Sequence, residues 1–226
     1  MKTELHPANT RGTADHGWLK TAYSFSFSSY HNPARIHFGA LRVLNDDYVA
    51  GGMGFGKHPH DNMEIVTIPL KGALAHEDSA GNKGVIQAGD VQIMSAGSGI
   101  YHSEFNASPS ESVELFQIWV MPKLKNITPR YDQRTFQPKD FKGQWKTVVS
   151  PLGSNIDSLQ VNQDTYFNLT ELDLNETLYN KTWKILFSAT SPAAYSLFPS
   201  ANSFQTITIA MHLAKPIKIK PTMYSG

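Results

Sequence analysis

With 226 residues, 40% hydrophobic content and a formal net charge of +1, the chain is sized for one large globular domain or two small ones. The near-neutral charge argues against nucleic acid as the main partner. No cysteine is present, which excludes disulfides, thiolate ligands and cysteine nucleophiles, so any metal site must be built from His and carboxylate.

The N-terminal stretch MKTELHPANTRGTADHGWLK lacks the apolar run of a signal peptide, and no segment approaches about 18 consecutive apolar residues. A soluble cytoplasmic protein with no membrane contact is expected. Tyr23 to Tyr30, YSFSFSSY, alternates aromatic and Ser as a half-buried strand does. A second strand is expected within Ile36 to Asp47, with Arg42, Asn45, Asp46 and Asp47 forming a capped polar turn at its end. Phe25, Phe27, Phe38 and Phe55 are expected in the core rather than around a pocket.

Glu64 to Leu70 is apolar and partly β-branched and runs into a Lys71-Gly72 turn. His76 to Gly84, HEDSAGNKG, has the composition of a tight reversal, which places His76 in a turn. Val85 to Met94 holds two short strands separated by Gly89-Asp90, and Val113 to Met121, VELFQIWVM, is a further buried strand. Short strands with turn signals about every ten residues predict an all-β barrel or sandwich. Pro122 to Trp145 reads as a linker between two halves. Beyond it, Ser158 to Leu174, Trp183 to Ala189 and Phe204 to Leu213 carry strand patterns.

The second half is short of turn-forming glycine, with only Gly226 after Gly153. It also lacks any Asp or Glu after Glu176.

Two stretches concentrate metal-binding chemistry. Gly52 to Gly72, GMGFGKHPHDNMEIVTIPLKG, holds His58 and His60; Gly89 to Asn106, GDVQIMSAGSGIYHSEFN, holds His102 and Glu104. Residues two apart on a strand point to one side, so each stretch offers two ligands on one face. Together they make a set of three imidazoles and one carboxylate, suited to a divalent first-row cation. His6, His16, His31, His37 and His76 have no such pairing and are not expected as ligands. His212 is the only histidine after His102, so one metal per chain is expected.

The spacing of Gly52, His58-x-His60, Glu64 and Gly72 resembles the first cupin motif, and Gly89 to Asn106, with His102-x3-Asn106, resembles the second. Ser95 stands where many cupins have Pro, and His102 falls two residues late after Gly97. Both departures are features of the pirin family, whose signature the first 135 residues resemble through GWLKTAYSFSFSSY, FGALRVLNDD, GFGKHPHDNMEIVTIPLKG and LFQIWVMP. The resemblance implies a bicupin of two β-barrel (jelly-roll) domains: a metal-binding domain over 1–135 and a cupin-like domain over 136–226. It fades after about residue 188, so the second barrel is expected to be divergent or incomplete.

Carried onto the matching positions, the resemblance implies that His58, His60, His102 and Glu104 hold one divalent cation. Fe(II) is the first expectation, with Mn, Ni, Co, Cu and Zn as the others. Glu64 occupies the carboxylate position of other cupins, but pirin-like proteins use the carboxylate two residues after the late histidine, which is Glu104. Similarity to quercetin dioxygenases implies an oxidoreductase in which Glu104 is the catalytic base, opening the ring of a flavonol with dioxygen and releasing carbon monoxide. The alternative is a non-enzymatic metal-binding regulator of a protein partner, a transcription factor or a metabolic enzyme. A monomer is expected in either case.

Overall fold

The computed structural model describes residues 3–171 and the backbone of three further strands at 185–188, 195–199 and 207–212. The chain opens with β1 (Thr3–Pro7), β2 (Gly12–Asp15), β3 (Leu19–Tyr23), β4 (Leu41–Val49) and β5 (Gly54–His60). Then come β6 (Glu64–Lys71), β7 (Ala73–Asp78), β8 (Lys83–Gln87), β9 (Asp90–Ser95), β10 (Ile100–Asn106), β11 (Val113–Val120) and β12 (Arg130–Thr135). A short helix, α1 (Pro138–Phe141), precedes β13 (Lys146–Pro151), β14 (Leu159–Val161), β15 (Thr165–Thr170), β16 (Ile185–Ser188), β17 (Tyr195–Pro199) and β18 (Ile207–His212). Among the described residues no helix is long and apolar enough to cross a membrane.

The mostly β architecture agrees with the expected fold class. A seven-stranded sheet runs β12-β9-β6-β11-β4-β3-β2 and a four-stranded sheet runs β5-β10-β7-β8. All pairings in these two sheets are antiparallel. A five-stranded sheet, β14-β13-β15-β18-β16, follows; in it β13 runs parallel to β14, and β18 parallel to both β15 and β16.

Burial patterns explain these positions. Strand β9 is buried at all six residues and β6 at its first six, because both faces of the seven-stranded sheet are covered. One face carries Leu44, Val66, Ile93, Phe116 and Ile118, which pack with Phe136, Phe141, Val148, Val149, Phe167 and Leu169 in a single apolar core. Each such fully buried side chain contributes about 1.5–3 kcal/mol. Strand β10 instead alternates cleanly: Ile100, His102, Glu104 and Asn106 are buried, while Tyr101 and Phe105 are exposed. The four-stranded sheet therefore keeps one face in solvent and turns His102 and Glu104 inward.

Several local expectations are corrected. Tyr23 ends β3, and Ser24 to Tyr30 is a loop in which Ser28 takes φ 50. Its aromatic alternation reflects packing: Tyr23 lies 5.6 Å from Phe27 and 6.4 Å from Tyr30, and Phe27 stands edge-on to Trp119. Arg42, Asn45, Asp46 and Asp47 are interior to β4, where pairing with β3 and β11 overrides their turn-like composition. The expected linker contains β12, which pairs with β9 and extends the large sheet. In the second half, β14 and β15 lie within the anticipated strand region and β13 is an addition. The expected divergent ending after about residue 188 lies outside the described residues, apart from the backbone of β17 and β18.

Candidate metal centre

β5 and β10 bring the ligand candidates together. Their antiparallel register sets His102 opposite His58 and Ile100 opposite His60, with a shift between His102 and Glu104 that adds a residue to β5. Such a bulge re-aims neighbouring side chains. Gly54 makes the approach possible, since a Cβ there would run into the Glu104 carbonyl and the Phe105 backbone.

His58, His60 and His102 each offer a ring nitrogen, all within 4.8 Å of one another, and their ring centroids are 4.4 to 4.9 Å apart. His58 Nδ1 lies 2.7 Å from the Gly56 carbonyl. That contact makes Nδ1 the proton-bearing nitrogen and leaves Nε2 with a free lone pair. Burial lowers His60 to about 4 and His102 to about 2, and neighbouring imidazoles add to both shifts. His60 and His102 are thus held in the neutral form that coordinates cations.

Glu104 belongs to a second set. It, His76 and His102 offer atoms within 4.8 Å of one another and all three are buried, so His102 is common to both groups. Gln117 Nε2 donates to Glu104 Oε2 at 3.0 Å, and Thr67 Oγ1 donates to Gln117 Oε1 at 3.2 Å. Burial pushes the Glu104 carboxyl up to about 7 against the pull of the Gln117 amide, and the charge of Asp47 raises it further. Asp47 is itself raised to about 7 by burial.

The donor set fits a cation. Glu104 Oε1 and His102 Nε2 are buried without a hydrogen-bond partner, which is costly unless something else satisfies them. His58, His60 and His102 form one group and Glu104 is linked to it only through His102, so these four are candidates to hold an ion rather than one closed cluster. Glu64 lies in neither group: its Oε2 accepts from Ser95 Oγ at 2.7 Å and from the Asn162 backbone at 3.1 Å, while its Oε1 is buried without a partner.

Two features escaped the sequence reading. His76 lies on β7 rather than in a turn, 3% exposed, and the reversal begins only after Asp78. A polar row also crosses the large sheet on its inner face, with Tyr23, Asn45, Gln117, Thr67 and Gln92 in successive register. All five are buried. Beside this row, Ile65, Met94 and Ile100 form an apolar cluster with Trp119, whose ring stands edge-on to His60 at 4.8 Å.

The Pirin family model matches residues 4–120. Among curated proteins the chain is similar to "Quercetin 2,3-dioxygenase" of Escherichia coli (strain K12), 51% identical over 160 residues, covering 71% of this chain and 68% of that protein. It is 44% identical over 171 residues to "Pirin-like protein" of Caulobacter vibrioides, covering 76% and 73%. Among solved structures, the nickel(II) complex of bacterial pirin YhhW from Escherichia coli matches with a TM-score of 0.67 and 48% identity, covering 72% of this chain and 68% of that one.

Proposed function

The chain belongs to the Pirin family, and on that footing we propose that it is a metal-dependent dioxygenase that opens the ring of a flavonol such as quercetin. The observation carrying this reading is the pair of buried, unpartnered atoms, Glu104 Oε1 and His102 Nε2, with the His102 ring packed against those of His58 and His60. The quercetin 2,3-dioxygenase name of a relative at 51% identity supports the reaction class.

In this proposal His58, His60, His102 and Glu104 hold one divalent cation, with Fe(II) the first candidate and Mn, Ni, Co, Cu and Zn the others. The bound ion supplies Lewis acidity to the flavonol 3-hydroxyl and a meeting point for the ring and dioxygen. Glu104, loosened from the ion, takes the 3-hydroxyl proton on Oε1 while Gln117 steadies Oε2. In the metal-free site burial raises the Glu104 carboxyl to about 7, the direction a proton acceptor at neutral pH needs. Trp119, Ile65 and Met94 give the planar ligand an apolar wall and keep water from the reacting carbons. Dioxygen enters the opened ring, and the excised carbon leaves as carbon monoxide. The same reading carries a division into 1–135 and 136–226, a monomer and a cytoplasmic setting.

The second reading, a metal-binding regulator of a protein partner, draws on the outer face of the four-stranded sheet, where Tyr101, Phe105 and Val85 are exposed. Loss of flavonol absorbance with metal-loaded protein decides between them. Turnover with at least one of iron, manganese, nickel, cobalt or copper is expected; none with any of the five favours the regulator.

A further inference from the structure

Resting on the metal site proposed above, we infer that His76 is a positioning residue that, anchored by Asp78, fixes the tautomer and orientation of His102.

The argument follows the hydrogen-bonding groups in order. Asp78 is buried and held by three donors: the Ala80 and Asn82 backbone amides at 2.9 Å to Oδ1, and Asn82 Nδ2 at 2.8 Å to Oδ2. A carboxylate so placed only accepts. Its Oδ2 lies 3.4 Å from His76 Nε2, so that nitrogen carries the proton. A neutral His76 then has a bare lone pair on Nδ1, which lies 3.5 Å from His102 Nδ1. The His102 nitrogen facing it must be the donor. That leaves Nε2 of His102 as its lone-pair atom, the atom found buried and unpartnered. The direction set at Asp78 thus propagates through two rings to the ligand atom.

Register and packing keep this order in place. β7 and β10 pair with Asp78 opposite His102 and His76 opposite Glu104. Tyr131 stacks on the His76 ring at 4.7 Å and 24°. Both nitrogens of His76 are engaged, which separates it from the ligand set.

Two measurements test this. In the metal-free protein, long-range 1H–15N NMR of the imidazoles should show His102 protonated at Nδ1 and His76 at Nε2; His102 protonated at Nε2 overturns the inference. This readout needs no metal, so it stands whether or not the metal site itself is upheld. Cobalt(II) titration then compares two variants with wild type. His76→Gln keeps an acceptor toward His102 and a donor toward Asp78, and should bind within about 3-fold of wild type. His76→Phe keeps the ring and its stacking on Tyr131 but no hydrogen bonds, and should lose about 10-fold, the lower end for partners of a ligating histidine. A purely packing role predicts the reverse order, and either that order or equal affinities for the two variants overturns the assignment. Wild type that binds no cobalt defeats the metal-site reading instead.

Discussion

Gln117 donates from Nε2 to one oxygen of Glu104 at 3.0 Å and leaves the other, Oε1, buried and unpartnered. One oxygen is pinned and the other is offered to the interior. The base role proposed for Glu104 calls for this division of labour.

Substituting Glu104 by Gln keeps the shape and removes the base. Flavonol turnover, followed by absorbance, should fall about 10²–10⁴-fold, the range for loss of a general base. Undiminished kcat/KM in metal-loaded Glu104→Gln would remove Glu104 from the proposed chemistry.

Removal of a ring should be more severe. His58→Ala or His102→Ala, each deleting one of three mutually close imidazoles, is expected to abolish both bound metal, by elemental analysis, and turnover. Retention of either property in a folded variant counts against the site.

The titrating groups set a pH dependence. Burial holds Glu104 and Asp47 at about 7, above their ordinary 4.5 and 3.8, while His60 and His102 are lowered from 6.5 to about 4 and 2. The raised carboxyls bind more protons folded than unfolded, so their contribution is full at low pH and is lost as pH rises through 7. The lowered histidines, His76 among them, act oppositely, and their contribution fills in as pH rises through 6.5. The two effects overlap, so the carboxyl part is read by difference: the metal-free Tm of wild type minus that of Glu104→Gln should fall as pH rises from about 5 to 8, while the cobalt affinity of wild type strengthens as the carboxylate becomes available.

Gln117→Leu removes the buried amide that accepts from Thr67 Oγ1 and donates to Glu104 Oε2. The cost is about 1–3 kcal/mol, and at about 2–4 °C per kcal/mol for a chain of this size calorimetry should record a lowered Tm. The lost amide also removes a downward pull on Glu104, so metal binding should shift to higher pH. An unchanged binding profile would show that Gln117 does not tune the carboxylate.

The sequence displayed His58, His60, His102 and Glu104 because strand periodicity is local and each pair sits two residues apart. His76 was equally visible in principle: Leu74, His76 and Asp78 alternate inward before the turn begins at Ser79. The Gly, Asn and Ser that follow drew attention to the reversal instead. Gln117, Thr67 and Gln92 offered no such signal, since each stands between apolar neighbours in its own strand. Only the register across the sheet aligns them. Asn45 and Asp47 were misread for the same reason, a turn-like composition overruled by partners far away in the chain.

The apolar core behind the large sheet runs without a break from Leu44 and Ile118 to Val148 and Phe167. The part that carries the histidines consequently owns only part of its own hull: severed after residue 135, it would show water a greasy flank formerly sealed by downstream strands. Endurance of the histidine cage against heat is therefore decided partly by residues that never come near it.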